Sequence, residues 1–211
     1  MGTDAAALLA LGSATLGESG ARACLPRLKA VWKGARLAAP AYTADCPDGD
    51  NLALHVAVVR APEGSVLVGR AALHLGNWGE VLTTGAEARG LVGLVLDGGV
   101  RDIDALEAHR WPVFASNVAL PGAIKVGPGV VGGPVTVAGA FVETGDWVVA
   151  DADGVCVIPA ATHDAVVAAA HARADKEAGL FTALKAGQST IELLGLNADG
   201  VLDVQSEVRE P

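Results

Sequence analysis

Gly76-Asn77-Trp78-Gly79-Glu80-Val81-Leu82 and, further on, Leu91-Val92-Gly93-Leu94-Val95-Leu96-Asp97-Gly98-Gly99-Val100-Arg101-Asp102 are the segments on which the reading of this chain turns. A glycine-rich turn enters a short helix predicted over Val81 to Arg89, Gly90 stops it, and an apolar strand follows from Leu91 to Leu96. Charges stand at both ends, Glu80 at the helix start and Arg101-Asp102 beyond the strand, with 20 residues between Glu80 and Arg101. In an α/β fold, helix amino ends and strand carboxyl ends are where anions and metals gather.

Each residue type fits that chemistry. Gly76 and Gly79 let the backbone turn sharply and come close to a ligand. The free N–H groups around Glu80 to Leu82 attract a carboxylate or phosphate through their donors and the helix dipole. Arg101 offers a planar fork to the same anion, and Asp102 can ligate a divalent cation. Glu80 can hold a metal-bound water or move a proton. A plainer reading stands beside this one: the dipole favours Glu at a helix start in any case, and Arg-Asp pairs often form surface salt bridges. No Gly-x-Gly-x-x-Gly is present, so the turn is not a dinucleotide fingerprint.

Outward from this centre the chain reads as helices alternating with strands, then a β-rich block, then a terminal helix. The expected elements are a helix from Thr3 to Leu11, a turn-rich connector from Ser13 to Gly20, and a strand from Ala41 to Ala44 after Pro40. A helix capped by Asp50 follows, then a strand at Ser65–Val68, a helix at Ile103–His109 and a strand at Pro112–Ala115. From Leu120 to Cys156, Gly and Pro punctuate short Val-rich strands, and Asp153-Gly154 closes a hairpin. Helices over Thr162–Leu184 and Ser189–Leu194 end the pattern. With no repeat, linker or low-complexity stretch, residues 1–211 read as one α/β domain with an N-terminal helix and a C-terminal helical tail.

Composition narrows the function. A net charge of −9 over 211 residues, without a Lys/Arg run, argues against gripping nucleic acid or an anionic membrane. Cys24, Cys46 and Cys156 are odd in number and widely spaced, as buried thiols in a reducing compartment would be, and Cys/His pairs at zinc spacing are missing. The apolar runs are interrupted by Gly or Pro, and no signal peptide is apparent, so a soluble cytoplasmic protein is expected. Weaker candidates are His74 as a pocket residue, His55 as a satisfied core histidine and Asp97 as a cap on a Gly98-Gly99 turn. Trp78 reads as a substrate cover or turn anchor, and Asp104 as an outer partner of a metal.

Gly49-Asp50-Asn51-Leu52-Ala53-Leu54-His55, the turn Gly76 to Leu82, the segment Gly90 to Asp102 and the hairpin Gly145-Asp146-Trp147-Val148-Val149-Ala150-Asp151-Ala152-Asp153-Gly154-Val155 together resemble the RraA-like family. That family includes metal-dependent 4-hydroxy-4-methyl-2-oxoglutarate and 4-carboxy-4-hydroxy-2-oxoadipate aldolases. The likeness runs from about Gly34 to Glu192, and the acidic-x20-Arg-Asp spacing is its most specific part. It implies a swivelling βα (phosphohistidine-domain-like) fold, assembled as homotrimers or hexamers with sites between subunits. It also implies a small 2-oxo acid substrate, its pyruvate part lying on the Gly79-Glu80-Val81-Leu82 amides and held by Arg101, with Mg²⁺ or Mn²⁺ on Asp102. By the same likeness Glu80, Arg101 and Asp102 are catalytic, and Glu177 comes from a neighbouring subunit. The implied reactions are retro-aldol cleavage of a 4-hydroxy-2-oxo dicarboxylate or decarboxylation of oxaloacetate. The alternative is a non-catalytic regulator that binds a ribonuclease or another protein. Two departures are visible: Glu80 stands where the aldolases commonly have Asp, and Gly17-Glu18-Ser19 replaces a Ser-Asp-Ala-like run.

Overall fold

A computed structural model describes residues 5–201 of the chain. In chain order it contains α1 (Ala5–Glu18), β1 (Arg22–Ala23), β2 (Lys29–Ala30), β3 (Leu37–Asp45), α2 (Leu52–Arg60), β4 (Val66–Arg70) and β5 (Gly76–Trp78). Next come α3 (Glu80–Glu87), β6 (Gly93–Val100), α4 (Ile103–His109), β7 (Val113–Val118), β8 (Val130–Val131), β9 (Val135–Val137) and β10 (Ala140–Val142). The hairpin β11 (Trp147–Ala150) and β12 (Val155–Ile158) leads through a 3₁₀ turn into α5 (His163–Lys185) and α6 (Thr190–Leu194). The chain divides into two compact units, Met1–His171 and Ala172–Pro211.

The first unit is a mixed α/β domain. Its ten-stranded sheet runs β1-β12-β11-β3-β4-β6-β7-β2, with β5 beside β6 and β8 beside β3. The neighbours β3, β4, β6 and β7 are parallel and the outer strands antiparallel. Alternation along the strands assigns the faces. Leu37, Ala39, Val66, Val68, Val95, Phe114, Val148, Ala150, Val155 and Val157 point to one shared core, closed by Val135, Val137 and Val142 of the β9–β10 hairpin. On the other face, Leu67, Leu94, Leu96, Val113 and Ala115 pack against α2, α3 and α4, and Val149, Cys156 and Ile158 pack against α1 and the start of α5. Each such fully buried Val or Leu contributes roughly 1.5–3 kcal/mol, so this patterning fixes the curled sheet. Among the described residues no helix is long and apolar enough to cross a membrane.

Several local expectations are corrected. The Ser13–Gly20 connector is mostly helix: α1 continues to Glu18 across a kink at Gly12, whose φ of 80° and ψ of 158° are non-helical. Strand β3 begins at Leu37, four residues before the expected Ala41, and passes through Pro40. A proline is tolerated there because β3 changes partners at that point, pairing β11 through Pro40 and β4 from Ala41 onward. Gly98 and Gly99 lie inside buried β6, so Asp97 caps no turn.

The second unit holds the latter part of α5 and α6. Ser189 and Glu192 form a reciprocal capping box at the start of α6, and Gly195 ends it in the left-handed region.

Candidate active site

The spacing of 20 residues closes because β5, α3 and β6 form a parallel strand-helix-strand unit. Trp78 pairs with Val100, and the Arg101 N–H donates to the Trp78 carbonyl at 2.9 Å. The turn into α3 and the exit from β6 are thereby side by side. Trp78 is the anchor: it is buried, its indole N–H donates to Thr83 Oγ1 at 2.7 Å, and its ring stacks on Trp111 at 5.7 Å.

Close approach explains the two glycines of the turn. A Cβ on Gly79 would collide with the Asp102 carboxylate, and one on Gly76 would meet the Ala119 carbonyl and, at 2.9 Å, Arg101 Cδ. Gly79 is extended, so the requirement is space and not an unusual dihedral. The intrahelical ladder of α3 begins with the Thr83 N–H on the Gly79 carbonyl at 3.1 Å. The Val81 and Leu82 N–H groups precede it at the positive end of the helix, and both residues line the cavity.

Asp102 sits at the N-cap of α4 with φ 61° and ψ 40°, a left-handed conformation unusual for a residue with a side chain. Its Oδ2 accepts the Glu80 N–H at 3.1 Å and lies 3.8 Å from Arg101 Nε. Oδ1 takes no hydrogen bond from the described residues. The cavity, about 230 Å³, is lined by Gly79, Val81, Leu82, Arg101 and Asp102 together with Asn51, His55, Gly76, Asn77, Trp78, Gly122, Ala123 and Lys125.

Five of the expected site residues therefore meet in one place. Glu80 differs: its backbone N–H serves the site, while its carboxylate is exposed and turns to His109, Oε1 lying 3.8 Å from Nε2. His109 is held from its other nitrogen by Glu87 at 2.6 Å. Glu177 belongs to the second unit, where its Oε1 accepts from Arg173 Nε at 2.9 Å within α5. His74 and Asp104 are exposed and lie outside the cavity wall. His55 is not the satisfied core histidine expected, because its buried Nε2 has no partner and the residue lines the cavity.

Asn51, Asn77 and Lys125 escaped the sequence reading. Asn51 and His55 carried a signal, the i, i+4 spacing of two polar residues on an otherwise apolar helix start. Lys125 had none, since its loop reaches the cavity through Asp50, whose Oδ2 accepts the Val126 and Gly127 N–H groups at 2.6 and 2.7 Å. The Leu52 N–H on Asp50 Oδ1, with those bonds beside it, holds the Asp50 carboxyl below the usual range. Elsewhere burial pushes the Cys24 and Cys156 thiols up to about 12 and Cys46 to about 11, which disfavours the nucleophilic thiolate.

A family model described as "RraA-like: Aldolase/RraA" matches residues 4–157. A Halalkalibacterium halodurans protein provisionally named 4-hydroxy-4-methyl-2-oxoglutarate aldolase is 32% identical over 154 residues, 72% of this chain and 73% of that protein. The crystal structure of an uncharacterized protein from Pseudomonas syringae pv. tomato superposes with a TM-score of 0.74 and 27% identity, covering 86% of each chain. Streptomyces coelicolor RraAS2, described as an unusual member of the RNase ES inhibitor RraA family, gives a TM-score of 0.71 and 26% identity over 84% of this chain and 93% of its own.

Proposed function

This chain belongs to the RraA-like family, and from that premise we propose that it is a divalent-metal-dependent lyase of 2-oxo acids. Its substrates on this reading are 4-hydroxy-2-oxo dicarboxylates cleaved by retro-aldol reaction, oxaloacetate decarboxylated, or both. The two reactions share a pyruvate enolate, so one site serves them. The observation that carries the reading is the meeting of Arg101, Asp102 and the amino end of α3 in one small cavity.

Each protein group has a distinct task. The Val81 and Leu82 N–H groups bind the carboxylate next to the keto group. Arg101 directs its guanidinium at the 2-keto oxygen and holds it more strongly as negative charge develops there. Leu82 and Trp78 supply apolar wall that keeps water from the enolate. The donor set suits a small hard cation, since Asp102 offers an oxygen without a hydrogen-bond partner among the described residues and Mg²⁺ typically takes one or two carboxylates while keeping several waters. Held by Asp102, Mg²⁺ or Mn²⁺ would supply Lewis-acid polarisation of the 2-keto group. Glu177 enters this scheme only if the protein assembles as a trimer or hexamer and a neighbouring copy brings it to the site.

A coupled assay for pyruvate tests the proposal, run over a panel of 2-oxo acids with Mg²⁺ and with a chelator. Metal-dependent pyruvate release from a 4-hydroxy-2-oxo dicarboxylate or oxaloacetate is expected. The likeness to RraAS2 favours a second reading, a regulator that binds a ribonuclease. No pyruvate from any substrate, together with a co-purifying ribonuclease, would replace the first reading with the second.

A further inference from the structure

Glu80 gives the site its backbone N–H while its carboxylate is drawn to the side, and His109 is the residue that draws it. His109 is the last residue of α4, and its ring meets the first and last residues of α3. Nδ1 lies 2.6 Å from Glu87 Oε2, and Nε2 lies 3.8 Å from Glu80 Oε1. Glu80 and Glu87 are two helical turns apart, so their side chains leave α3 on one face. Donating to both carboxylates takes both ring N–H groups, the form in which imidazole carries a positive charge. The side chains of His109 and Glu87 are 25% and 33% exposed and that of Glu80 56%. The short, better-buried bond to Glu87 therefore fixes the ring, and the longer contact restrains Glu80.

The base of His109 is itself held. Beyond it the chain turns left-handed at Arg110, with φ 54° and ψ 20°. Trp111 follows, buried, stacked on Trp78 and donating its indole N–H to the Leu91 carbonyl at 2.9 Å.

The start of α3 shows what this tether prevents. Helical side chains lean toward the amino end, and at the amino end of α3 the Glu80 N–H is bonded to Asp102 Oδ2 at 3.1 Å. A glutamate carboxylate reaches roughly 5 Å from its own Cα, so a released Glu80 can approach a cation held by Asp102. Two carboxylates at one place repel each other when alone, but a divalent cation between them binds both.

We propose that His109 is a positioning residue: it holds the Glu80 carboxylate aside, keeps it from becoming a second ligand of the Asp102 cation, and leaves that position to the substrate. The inference rests on the cation-binding part of the lyase reading. With one protein carboxylate, Mg²⁺ or Mn²⁺ keeps positions open to water and substrate. A second carboxylate from the same chain would bind the ion more tightly and compete with the 2-oxo acid from within the molecule.

The test uses His109→Leu and Glu87→Gln, each alone and combined with Glu80→Gln, with folding checked by thermal melting. Mn²⁺ binding is followed by water-proton relaxation. Pyruvate release at saturating Mn²⁺ is measured from whichever of 4-hydroxy-4-methyl-2-oxoglutarate and oxaloacetate wild type cleaves. In His109→Leu, Mn²⁺ is expected to bind about 10-fold tighter while KM rises about 10-fold, the scale on which groups around metal ligands act, with kcat within about threefold of wild type. Glu87→Gln should move both quantities the same way by less, and it carries the test if His109→Leu does not fold. Combined with Glu80→Gln, neither substitution should alter Mn²⁺ affinity. A general loosening of the fold would weaken metal and substrate together, so the opposite signs identify the tether. Unchanged or weaker Mn²⁺ binding in the folded variants overturns the proposal, as does tightening that persists without the Glu80 carboxylate. If wild type binds Mn²⁺ but releases no pyruvate, the lyase reading fails and the Mn²⁺ comparison still decides the role of His109. If wild type binds no Mn²⁺, the cation site and this proposal fail together.

Discussion

Asp97 and Asp102 lie on the same strand and its exit, and their surroundings are opposite. Asp97 is buried, and its two oxygens accept from Arg27 Nε and Nη2 at 3.0 and 2.7 Å, Ser116 Oγ at 2.7 Å and the Ala138 N–H at 2.7 Å. Asp102 has a side chain 40% exposed, takes one N–H, and holds its backbone in a strained left-handed conformation at a cavity wall. A carboxylate whose oxygens are all engaged ties the sheet to the β9–β10 region. One with an open oxygen in a concave site is available to a ligand. On the proposed function, the difference separates a residue that serves the fold from one that serves the chemistry, although both are aspartates beyond the middle of β6.

Substitution should split the two cleanly. Asp102→Ala is expected to reduce metal-dependent pyruvate release about a thousandfold or more, the scale of losing several kcal/mol of charge stabilisation. Its thermal midpoint should stay within a few degrees of wild type. Asp97→Ala should do the reverse, losing about 1–3 kcal/mol of stability because the buried Ala138 N–H is left without its acceptor, while the half-exposed Arg27 turns to water. Urea unfolding would measure that loss, and turnover per folded molecule at low temperature should stay within about threefold of wild type.

The pH dependence sharpens the same contrast. Burial by itself would raise the Asp97 pKa, but the bonds from Arg27, Ser116 and Ala138 outweigh it and hold the carboxyl below its ordinary value. A depressed folded pKa stabilises the fold above the unfolded value, about 3.9, and that stabilisation is lost as pH falls through the folded pKa. The gap in urea midpoint between wild type and Asp97→Asn should therefore be full at pH 7 and shrink below about pH 4. A gap independent of pH would show that the carboxylate charge is not what Asp97 contributes.

Gly79→Ala makes a smaller, local disturbance. The added methyl would displace the Asp102 carboxylate, and a shift of about 1 Å at a reacting centre costs roughly 10- to 100-fold in rate. Stability should change little, because Gly79 is extended and alanine adopts that conformation freely. An active Gly79→Ala enzyme would mean that the precise position of Asp102 is unimportant.

The contrast also explains what could be read from the sequence. Arg101, Asp102 and the α3 amino end were legible because one parallel strand-helix-strand unit, continuous in sequence, brings them together. Asp97 was misread as a turn cap because Gly98-Gly99 locally looks like a turn. Only the pairing of β6 with β4, β5 and β7 reveals that those glycines are buried in the sheet. Pro40 hid the first half of β3 for a similar reason, since the change of partner that tolerates it depends on distant strands. The rest of the cavity lining was invisible because Asn51 and His55 come from the start of α2, Asn77 from β5 and Lys125 from a loop after β7. Each is unremarkable in its own segment, and only the tertiary fold shows that the four residues line one cavity.

The central claim, that Asp102 is held open for a cation while Asp97 is not, is tested most directly by Mn²⁺ binding followed through water-proton relaxation in wild type, Asp102→Ala and Asp97→Asn. The account predicts one Mn²⁺ site per chain in wild type and in folded Asp97→Asn, and loss of that site in Asp102→Ala. Wild-type Mn²⁺ affinity in Asp102→Ala, or loss of the site only in Asp97→Asn, would contradict it.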